Sequence, residues 1–338
     1  MSTYRAFEVT GNRNFRLVER ETVAPLSGQV RIRVETCGIC HTDVVAVEGM
    51  RGDADQPLVP GHEIVGTIEA VGDGVRTWHV GDRVGVGFLG GQCGECEHCR
   101  RGDFVNCEDQ PRTGTTVDGG YAEIVYARGT GLVRMPPDLN SLDGAPLLCA
   151  GLTTYSALAQ IDARPGALVA VQGIGGLGHL GVQYAAKLGY RVAAIARGAE
   201  KGPLAERLGA DHYIDSASED PGEALLKLGG ASAIIATAAS GAAMSPLVPG
   251  LAPRGQLLVL GAAPDPLTVS TSDLIFGTRS ITGSLTGSAV ENEDNLAFTA
   301  HRDIRPMVET LPFADAPKAY ERMLSGQARF RVVLDMGE

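Results

Sequence analysis

The sequence predicts an α/β protein in which a β-rich part is joined to a doubly wound parallel sheet. Short strand-like runs separated by turn signals occupy residues 1 to 92, which indicates the β-rich part. Between residues 167 and 284, strand candidates alternate with helical patterns, and this alternation is typical of a parallel sheet covered by helices. The chain of 338 residues is long enough for two domains, and 44% of its residues are hydrophobic, so it can form real cores.

The strand candidates follow from runs of β-branched and apolar residues between turn signals such as Gly52-Asp53. In the β-rich part they are residues 5–9, 16–20, 30–37, 64–71, 83–86 and 121–125. A helical pattern follows at 141–162. In the alternating part the strand candidates are 167–172, 191–196, 211–215, 233–237, 256–261 and 279–284. The last segment, from residue 285, is mixed and ends in a strand candidate at 328–335.

Residues 168 to 197 are predicted to form one strand–turn–helix–strand unit. The turn matches G-x-G-x-x-G, and it lies between a strand and a helix as a dinucleotide site requires. The first glycine permits a tight turn, the second lets backbone N–H groups approach a pyrophosphate, and the third lets the helix pack on the strand. An ordinary glycine-rich turn is the alternative. The predicted phosphate-binding turn, which opens a helix N-terminus toward the phosphates, consists of Gly173, Gly175, Gly176, Leu177 and Gly178.

The end of the second strand of this unit indicates which nicotinamide cofactor is bound. An NAD site usually has an acidic residue there, which binds the ribose 2′-OH. This sequence has Ala196 followed by Arg197, with Lys201 four residues further on. Because a guanidinium can bind a 2′-phosphate bidentately, the sequence favours NADP(H) over NAD(H). The alternative is that Arg197 and Lys201 are ordinary surface charges.

Charge and composition argue against several classes of partner. The net charge of −11 argues against binding nucleic acid, whose phosphates need a basic surface. No stretch is long and apolar enough for a membrane span, and the first fifteen residues contain no apolar signal region. We therefore expect a cytoplasmic protein. In that compartment an odd number of cysteines, seven, favours metal binding over disulfides.

One group of cysteines predicts a structural zinc site. Four cysteines fall within the fifteen residues from 93 to 107, and four thiolates close a tetrahedral zinc site without leaving an open position. His98 lies in the same loop and is expected to be exposed. The alternative, a zinc module that binds nucleic acid through Arg100 and Arg101, is disfavoured by the acidic chain. The predicted ligands are Cys93, Cys96, Cys99 and Cys107.

A second set of zinc-ligand side chains is spread along the chain. The segment CGICHTD contains Cys37, Cys40 and Asp43, the segment GHE contains His62, and Cys149 lies in the helical region. Cysteine, histidine and carboxylate are the residue types that bind zinc. A lone histidine would more often be a hydrogen-bonded core residue, but the cysteines favour a metal site. Spacing alone does not choose between Cys37 and Cys40.

Taken together, the motifs GICHTD, GHE, the four-cysteine loop, CAGLTTY, GIGGLG and ARFRVVLD resemble, in this order, the zinc-dependent alcohol dehydrogenases of the medium-chain dehydrogenase/reductase family. The likeness extends over nearly the whole chain and is strongest to the bacterial branch similar to cinnamyl alcohol dehydrogenase. It implies a GroES-like catalytic zinc domain of residues 1–150 and 285–338, and a dinucleotide-binding Rossmann domain of residues 151–284. It also implies two zinc ions per chain and a homo-oligomer, either a tetramer or a dimer.

The resemblance implies roles for individual residues around the zinc ions. Cys40, His62 and Cys149 match the ligands of the catalytic zinc, so Cys37 becomes a small buried residue, and the four-cysteine loop matches the structural site. Three more residues match groups near the catalytic zinc. They are the substrate-binding hydroxyl Thr42, the carboxylate Asp43 that orients the ligand histidine, and the carboxylate Glu63 that can approach the zinc.

The resemblance also implies cofactor contacts, and the chain departs from the family at one position. Thr153 matches a residue beside the nicotinamide, Arg331 matches a pyrophosphate contact, and His41 is expected near the phosphates. Many members carry a histidine five residues after the ligand cysteine, at the outer end of a proton relay. Val45 occupies that position here, so the proton must leave through the cofactor ribose, water or another group.

The expected activity is the interconversion of alcohols, primary and aromatic ones favoured, and aldehydes by hydride transfer with NADP(H). A zinc ion acts as a Lewis acid in such a reaction, and the Thr42 hydroxyl passes the proton. Three alternatives stay open: an NAD(H)-dependent alcohol dehydrogenase, a reductase of conjugated C=C or C=N bonds on the same scaffold, and a zinc-stabilised binding protein without turnover. The complete ligand set disfavours the last two.

Overall fold

The computed structural model describes residues 2–53 and 55–337. They form two compact units. The first unit is Met1–Leu152 with Gly287–Glu338, and the second unit is Thr153–Thr286. In the described part of the chain, no helix has both the length and the apolar character needed to cross a membrane.

The strands and helices are numbered here in chain order. The strands are β1 (Thr3–Val9), β2 (Phe15–Glu21), β3 (Gln29–Ile39), β4 (Glu63–Val71), β5 (Arg83–Val86), β6 (Ile124–Arg128), β7 (Leu132–Arg134), β8 (Leu168–Gln172), β9 (Arg191–Ala196), β10 (His212–Asp215), β11 (Ala231–Ala236), β12 (Leu251–Val259), β13 (Ser280–Gly283), β14 (Val308–Pro312) and β15 (Arg331–Asp335). The α-helices are α1 (Val44–Val47), α2 (Glu97–Arg100), α3 (Ser141–Pro146), α4 (Leu152–Ala159), α5 (Gly178–Lys187), α6 (Gly202–Arg207), α7 (Pro221–Lys227), α8 (Gly241–Met244), α9 (Thr271–Ile275), α10 (Ala289–Arg302) and α11 (Ala316–Leu324). A π-helical turn, Leu147–Gly151, joins α3 to α4.

The first unit is built on a mostly antiparallel sheet in the order β14-β15-β3-β4-β5-β7, with β6 paired to β3. Strand β3 is its centre, because β4, β6 and β15 all pair with it in antiparallel register. Val30, Ile32 and Val34 alternate along β3 and are buried in the core, as expected of a strand with one buried face. Cys40 directly follows β3 and His62 directly precedes β4, so this sheet brings part of the first metal cluster described below together.

The second unit is a parallel sheet in the order β10-β9-β8-β11-β12-β13. Numbered from its first strand, this is the order 3-2-1-4-5-6 of a doubly wound dinucleotide-binding sheet. The central strand β8 is buried at every position, because helices cover both faces of such a sheet. The predicted fold class, a β-rich GroES-like part joined to a doubly wound sheet, is confirmed.

The structure corrects three predictions in the first unit. The strand expected at 121–125 lies later, at β6, and β7 and β14 were not predicted at all. Strand β7 has three residues, which are too few to show a period. The edge strand β14 ends in Pro312, and two of its five residues are exposed. The helix expected at 141–162 is divided into α3, the π-helical turn and α4.

Candidate metal and nucleotide sites

Four buried side chains of the first unit converge on one point. The ligand atoms of Cys40, His62, Glu63 and Cys149 all lie within 4.8 Å of one another. Cys40 follows the end of β3, and Glu63 begins β4. The antiparallel register pairs Gly38 with Glu63, and this brings segments together that are distant in sequence. Cys149 reaches the cluster from the π-helical turn, a distortion that often marks functional positions.

The cluster fits a zinc ion. The two sulfur atoms of Cys40 and Cys149 are 3.9 Å apart, and two thiolates bound about 2.3 Å from a tetrahedral zinc would lie roughly 3.8 Å apart. Nε2 of His62 and Oε2 of Glu63 are buried and have no hydrogen-bond partner among the described residues. Such orphaned polar atoms need an explanation, and a cation bound between them would provide their partner.

Asp43 connects the cluster to the protein around it. Its Oδ1 lies 3.1 Å from Nδ1 of His62. Its Oδ2 accepts hydrogen bonds from the backbone N–H of Cys40 at 3.0 Å and from the hydroxyl of Tyr121 at 2.9 Å. A carboxylate on Nδ1 fixes the ring orientation and leaves Nε2 as the metal-binding nitrogen. Oδ1 of Asp43 and Nδ1 of His62 are within ion-pair distance but do not form a hydrogen bond in the structure, so the orienting role of Asp43 stays a prediction.

Glu63 is held by a buried arginine. Nη2 of Arg331 donates to Oε1 of Glu63 and to the carbonyl oxygen of Ile39, the latter at 3.2 Å. Burial raises the pKa of Glu63 to about 7, although the charge of Arg331 acts in the opposite direction. Arg331 thus has a partner inside the first unit, and its expected pyrophosphate contact stays a prediction.

The thiols of Cys40 and Cys149 lie 3.9 Å apart, within hydrogen-bonding distance of each other. The hydrogen bond from Cys149 lowers the pKa of Cys40 well below its usual value, and the same bond raises the pKa of Cys149. A zinc ligand must be a thiolate, so metal binding displaces a thiol proton. The affinity of the cluster for metal therefore rises with pH.

The residues after Cys40 form a 3₁₀ turn, His41–Asp43. The hydroxyl of Thr42 lies 3.7 Å from the sulfur of Cys40 and is half-buried, so it borders the cluster and remains accessible. His41 is exposed. Val45 lies on α1, where its apolar side chain offers no proton acceptor.

The other four cysteines form a second cluster in the first unit. The ligand atoms of Cys93, Cys96, Cys99 and Cys107 lie within 4.8 Å of one another. The sulfur of Cys93 is 3.9 Å from that of Cys99 and 3.6 Å from that of Cys107. Backbone N–H groups of Glu95 and Cys96, each 3.4 Å away, lower the pKa of Cys93 to about 7. Four converging thiols fit a closed zinc site.

His98 does not belong to this second cluster. Its Nδ1 lies 3.0 Å from Oδ2 of Asp103, and nearly half of its side chain is exposed. This contact between His98 and Asp103 is formed within the loop, and His98 is not among the four grouped ligand residues. A surface pair of this kind contributes little to stability.

The glycine turn of the second unit has the geometry of a phosphate-binding loop. Gly173 has a φ of +90°, and a Cβ at this position would lie 2.8 Å from the Thr237 hydroxyl. A Cβ at Gly178, the first residue of α5, would collide with the carbonyl oxygen of Gly173. A Cβ at Gly175 would meet nothing within 4 Å. The outer glycines thus close the turn, and the middle one faces open space.

The remaining cofactor candidates lie around this turn or at the start of α4. Gly176 and Leu177 lead into α5, whose Leu180 and Tyr184 are completely buried. Thr153 is buried in the first turn of α4. The roles of these residues in cofactor binding stay predictions.

The segment after β9 presents two cations. Arg197 is exposed and Lys201 is half-exposed, and neither forms an ion pair with a described residue. The turn between them is fixed by Asp215 of β10, whose Oδ1 accepts the backbone N–H of Gly198 at 2.8 Å. The carboxylate of Glu200 packs over Gly198. Glu200 is therefore an acidic neighbour of Arg197, and the residue pattern after β9 did not predict this contact.

Three buried polar residues of the first unit were not anticipated from the sequence. Tyr121 bonds Asp43, and Asn292 and Asn295 of α10 bond carbonyl groups of the π-helical turn. A signal existed for the asparagines, because they share the buried face of α10 with Leu296. Tyr121 follows a pair of glycines that could have marked a close backbone approach.

Two family descriptions match the chain. The alcohol dehydrogenase GroES-like domain matches residues 26–137, and zinc-binding dehydrogenase matches residues 176–301. The alcohol dehydrogenase notN of Aspergillus sp. (strain MF297-2) is 44% identical over 92% of this chain and 91% of its own length.

Solved structures with a similar fold cover nearly the whole chain. Cinnamyl alcohol dehydrogenase SbCAD4 of Sorghum bicolor is 32% identical, with a TM-score of 0.89 over 99% of this chain and 98% of its own. The CAD of Helicobacter pylori, complexed with NADP(H), is 28% identical, with a TM-score of 0.85 over 99% of both chains. Acetophenone reductase of Geotrichum candidum, in complex with NAD, is 26% identical, with a TM-score of 0.87 over 99% of this chain and 98% of its own. Together with the two metal clusters and the doubly wound sheet, these matches show that the chain belongs to the zinc-binding alcohol dehydrogenases of the medium-chain dehydrogenase/reductase family.

Proposed function

We propose that this alcohol dehydrogenase depends on a catalytic zinc ion and interconverts primary alcohols, including aromatic ones, and aldehydes with NADP(H). The observation that carries the proposal is the buried cluster of Cys40, His62 and Cys149. Three protein ligands leave a fourth position for substrate oxygen, which is the pattern of catalytic zinc sites. Glu63 pairs with Arg331 through Oε1, while its buried Oε2 has no hydrogen-bond partner among the described residues and can approach the ion.

Residues of the first unit have separate roles in the proposed reaction. Cys40, His62 and Cys149 hold the zinc, and their two thiolate charges cancel its double charge. When bound, zinc supplies a Lewis acid for the substrate oxygen and the nicotinamide supplies or accepts the hydride. The Thr42 hydroxyl, accessible beside Cys40, holds the proton of the substrate oxygen. Asp43 keeps His62 in its metal-binding orientation.

The proton cannot leave Thr42 through a histidine at the outer end of a relay, because Val45 occupies that position. Isopropyl side chains neither donate nor accept a proton. His41 is the adjacent exposed titratable group, but no side-chain hydrogen bond given for the described residues links it to Thr42. We therefore propose that the proton leaves through water or the cofactor ribose.

The preference for NADP(H) rests on Arg197 and Lys201. Both cations lack an ion-pair partner among the described residues, so a 2′-phosphate would meet two available charges after β9. Glu200 acts against this preference because its carboxylate lies over Gly198. The H. pylori neighbour binds NADP(H) and the G. candidum neighbour binds NAD, so the fold permits either cofactor.

Aromatic primary alcohols are proposed as substrates because a cinnamyl alcohol dehydrogenase is among the solved structures similar to this chain. The test is the initial rate of cinnamaldehyde and benzaldehyde reduction with NADPH and with NADH. Each rate is measured before chelation, after chelation and after zinc is restored. We expect a faster rate with NADPH, loss of that rate on chelation and its recovery with zinc. A rate that survives complete removal of the metal would contradict the zinc role, and a preference for NADH would contradict the role of Arg197.

We also propose that the chain forms a homo-oligomer, either a dimer or a tetramer. Strand β13 ends the sheet of the second unit, and among the described strands it pairs only with β12. The preceding turn leaves Phe276 90% exposed and Ile275 69% exposed. Apolar groups beside an open sheet edge favour association with a second copy. Light scattering should therefore give a mass at least twice that of the chain, and Phe276→Asp should lower it.

A cytoplasmic location is proposed on the chemistry of the cysteines. All seven are free thiols, and two sulfur pairs lie 3.6 Å and 3.9 Å apart within the four-cysteine cluster. In an oxidising compartment such close thiols would form disulfides and lose their capacity to bind zinc. Fractionation of the native organism should find the activity in the reducing cytoplasm.

A further inference from the structure

We propose that Asn292 and Asn295 are positioning residues for the metal ligand Cys149. Their side-chain amides hold the π-helical turn that carries this thiol. The inference rests on the proposed function, because it assigns both residues to the zinc site of that reaction. It concerns residues of the first unit alone.

The turn that carries Cys149 lacks the regular bonding of an α-helix. Helix α3 begins after Asn140, whose side chain accepts the backbone N–H of Asp143, and it ends at Pro146. Proline has no N–H to donate and displaces the carbonyl four residues before it. The chain then widens into Leu147–Gly151 before it resumes as α4. A widened turn of this kind leaves carbonyl groups that need partners from outside the helix.

The two asparagines provide partners for the carbonyl groups just before Cys149. Nδ2 of Asn295 donates to the carbonyl oxygen of Leu147 at 3.0 Å. Nδ2 of Asn292 donates to the carbonyl oxygen of Leu148 at 3.1 Å. The peptide unit that leads into Cys149 is therefore fixed by a side chain of α10.

The amide groups are themselves fixed by a ladder along α10. Nδ2 of Asn295 also donates to Oδ1 of Asn292 at 3.1 Å, and the hydroxyl of Thr299 donates to Oδ1 of Asn295 at 3.5 Å. These bonds settle which end of each amide is nitrogen, because only the nitrogen can face a carbonyl oxygen. The asparagines are thus held at both ends and have a single favourable orientation.

Burial shows that these amides are not ordinary surface groups. Asn292 is 1% exposed and Asn295 is 0% exposed. Burying an amide is unfavourable unless its hydrogen bonds are made, whereas leucine would fill a similar volume with no such demand. Gly87 contributes space on the same side, because a Cβ there would lie 3.1 Å from the Leu148 carbonyl oxygen. The carbonyl groups of the π-helical turn explain why asparagines, and not leucines, occupy positions 292 and 295.

Helix α10 also connects the turn to the sheet that carries the other ligands. It begins with a capping box in which Ser288 accepts the N–H of Glu291 and Glu291 accepts the N–H of Ser288. Oε1 of Glu293 accepts the backbone N–H of Arg134 on β7, at 2.9 Å. Because β7 belongs to the same sheet as β3 and β4, α10 fixes Cys149 relative to Cys40 and His62.

The test replaces each asparagine by leucine, singly and together, and measures cobalt binding in place of zinc. The affinity is measured by competition with a chelator, and the thiolate-to-cobalt absorption reports the ligand geometry. The Cys149→Ala variant identifies which part of the signal belongs to this site. Losing an outer-shell partner of a metal site typically costs about 10- to 100-fold in metal affinity. We expect a loss in that range, a changed absorption spectrum, and an unchanged four-cysteine site.

The matched control is Asn140→Ala, which removes an asparagine cap from α3 without touching the turn. It should lower the melting temperature but leave the cobalt affinity and spectrum unchanged. If the double variant does not fold, the same measurements are made on Asn292→Ala. This single variant keeps the hydrogen bond from Asn295 to the carbonyl oxygen of Leu147. Unchanged affinity and spectrum in a folded variant would overturn the inference. A wild-type chain that binds only one metal ion would instead contradict the proposed function.

Discussion

The hydroxyl of Tyr121 donates a 2.9 Å hydrogen bond to Oδ2 of Asp43, and both side chains are completely buried. The other oxygen of the same carboxylate lies 3.1 Å from Nδ1 of His62. One carboxylate therefore links the tyrosine to the imidazole of the metal cluster. Burial and the Asp43 charge raise the pKa of Tyr121, so the phenol stays protonated and remains the donor.

We predict that Tyr121→Phe weakens zinc binding at the cluster of Cys40, His62 and Cys149. A hydrogen bond to a charged group contributes about 1.5 to 3 kcal/mol, and its loss would free Asp43 to move. The expected result is a roughly tenfold lower zinc affinity, measured by competition with a chelator. Tyr126→Phe is the control, because its hydroxyl bonds only the exposed backbone of Val23. Equal zinc affinity in both variants would show that Tyr121 serves packing alone.

Sequence reasoning worked best where a local pattern and its physical cause coincide. The glycine turn between β8 and α5 and the four cysteines from 93 to 107 are both short segments whose spacing specifies their geometry. The proposed catalytic ligands are different, because Cys40, His62 and Cys149 meet only through the pairing of β3 with β4 and the path of the chain through α3. Family resemblance, and not spacing, selected Cys40 over Cys37.

The features that were missed depend on tertiary contacts. Nothing in the local pattern of residues 141 to 162 distinguishes a π-helical turn from a continuous helix, and Pro146 alone does not specify one. The role of Tyr121 depends on Asp43, which is distant in sequence. Short edge strands such as β7 are specified by their neighbours in the sheet and not by their own three residues.

We predict that Cys149→Ala abolishes turnover while binding of NADPH survives. The substitution removes one of three ligands from the first unit and leaves the glycine turn of the second unit unchanged. Turnover is measured by aldehyde reduction, and NADPH binding by quenching of the single tryptophan or by calorimetry. Cys37→Ala is the control, because this buried thiol is outside the cluster. Retained activity in Cys149→Ala would remove Cys149 from the catalytic site.

The four-cysteine cluster should affect folding more than chemistry. Cys96→Ser removes one ligand from a closed zinc site, whose metal contributes directly to folding free energy. We expect a lower melting temperature and loss of one zinc per chain, with kcat per folded molecule close to that of the unmodified protein. Zinc content is measured by atomic absorption and the folded fraction by circular dichroism. A variant of full stability but without activity would contradict a structural role.

Arg197→Ala should weaken the use of NADPH far more than the use of NADH. The proposed contact, a charge-assisted hydrogen bond to the 2′-phosphate, would contribute about 1.5 to 3 kcal/mol. That corresponds to at least a roughly tenfold rise in KM for NADPH, with KM for NADH almost unchanged. Arg207→Ala, an exposed arginine on α6, is the matched control for loss of positive charge. Parallel changes with both cofactors would show that Arg197 does not contact the 2′-phosphate.

The hydrogen bonds to the Glu35 carboxylate predict that the stability of the protein depends on pH. Burial acts to raise the pKa of Glu35, but the hydroxyls of Ser141 at 2.6 Å and Thr67 at 2.7 Å, with Arg83 nearby, bring the pKa below its usual value. A carboxyl whose pKa is lowered by folding stabilises the native state above its unfolded pKa, which is about 4.3 for glutamate. That stabilisation is lost as the pH falls through the folded-state pKa.

Glu35→Gln should therefore be less stable than the wild type at pH 7, and the difference in unfolding free energy should shrink below about pH 4.3. Urea unfolding of both proteins from pH 7 to pH 3 measures this difference, and zinc loss at low pH affects both alike. Glu206→Gln, at an exposed position on α6, should show no such trend. If the difference in unfolding free energy between Glu35→Gln and the wild type is as large at pH 3 as at pH 7, the charge of Glu35 is not its cause, because the carboxylate of the wild type is protonated at low pH. The glutamine amide would then be destabilising because it does not fit the site.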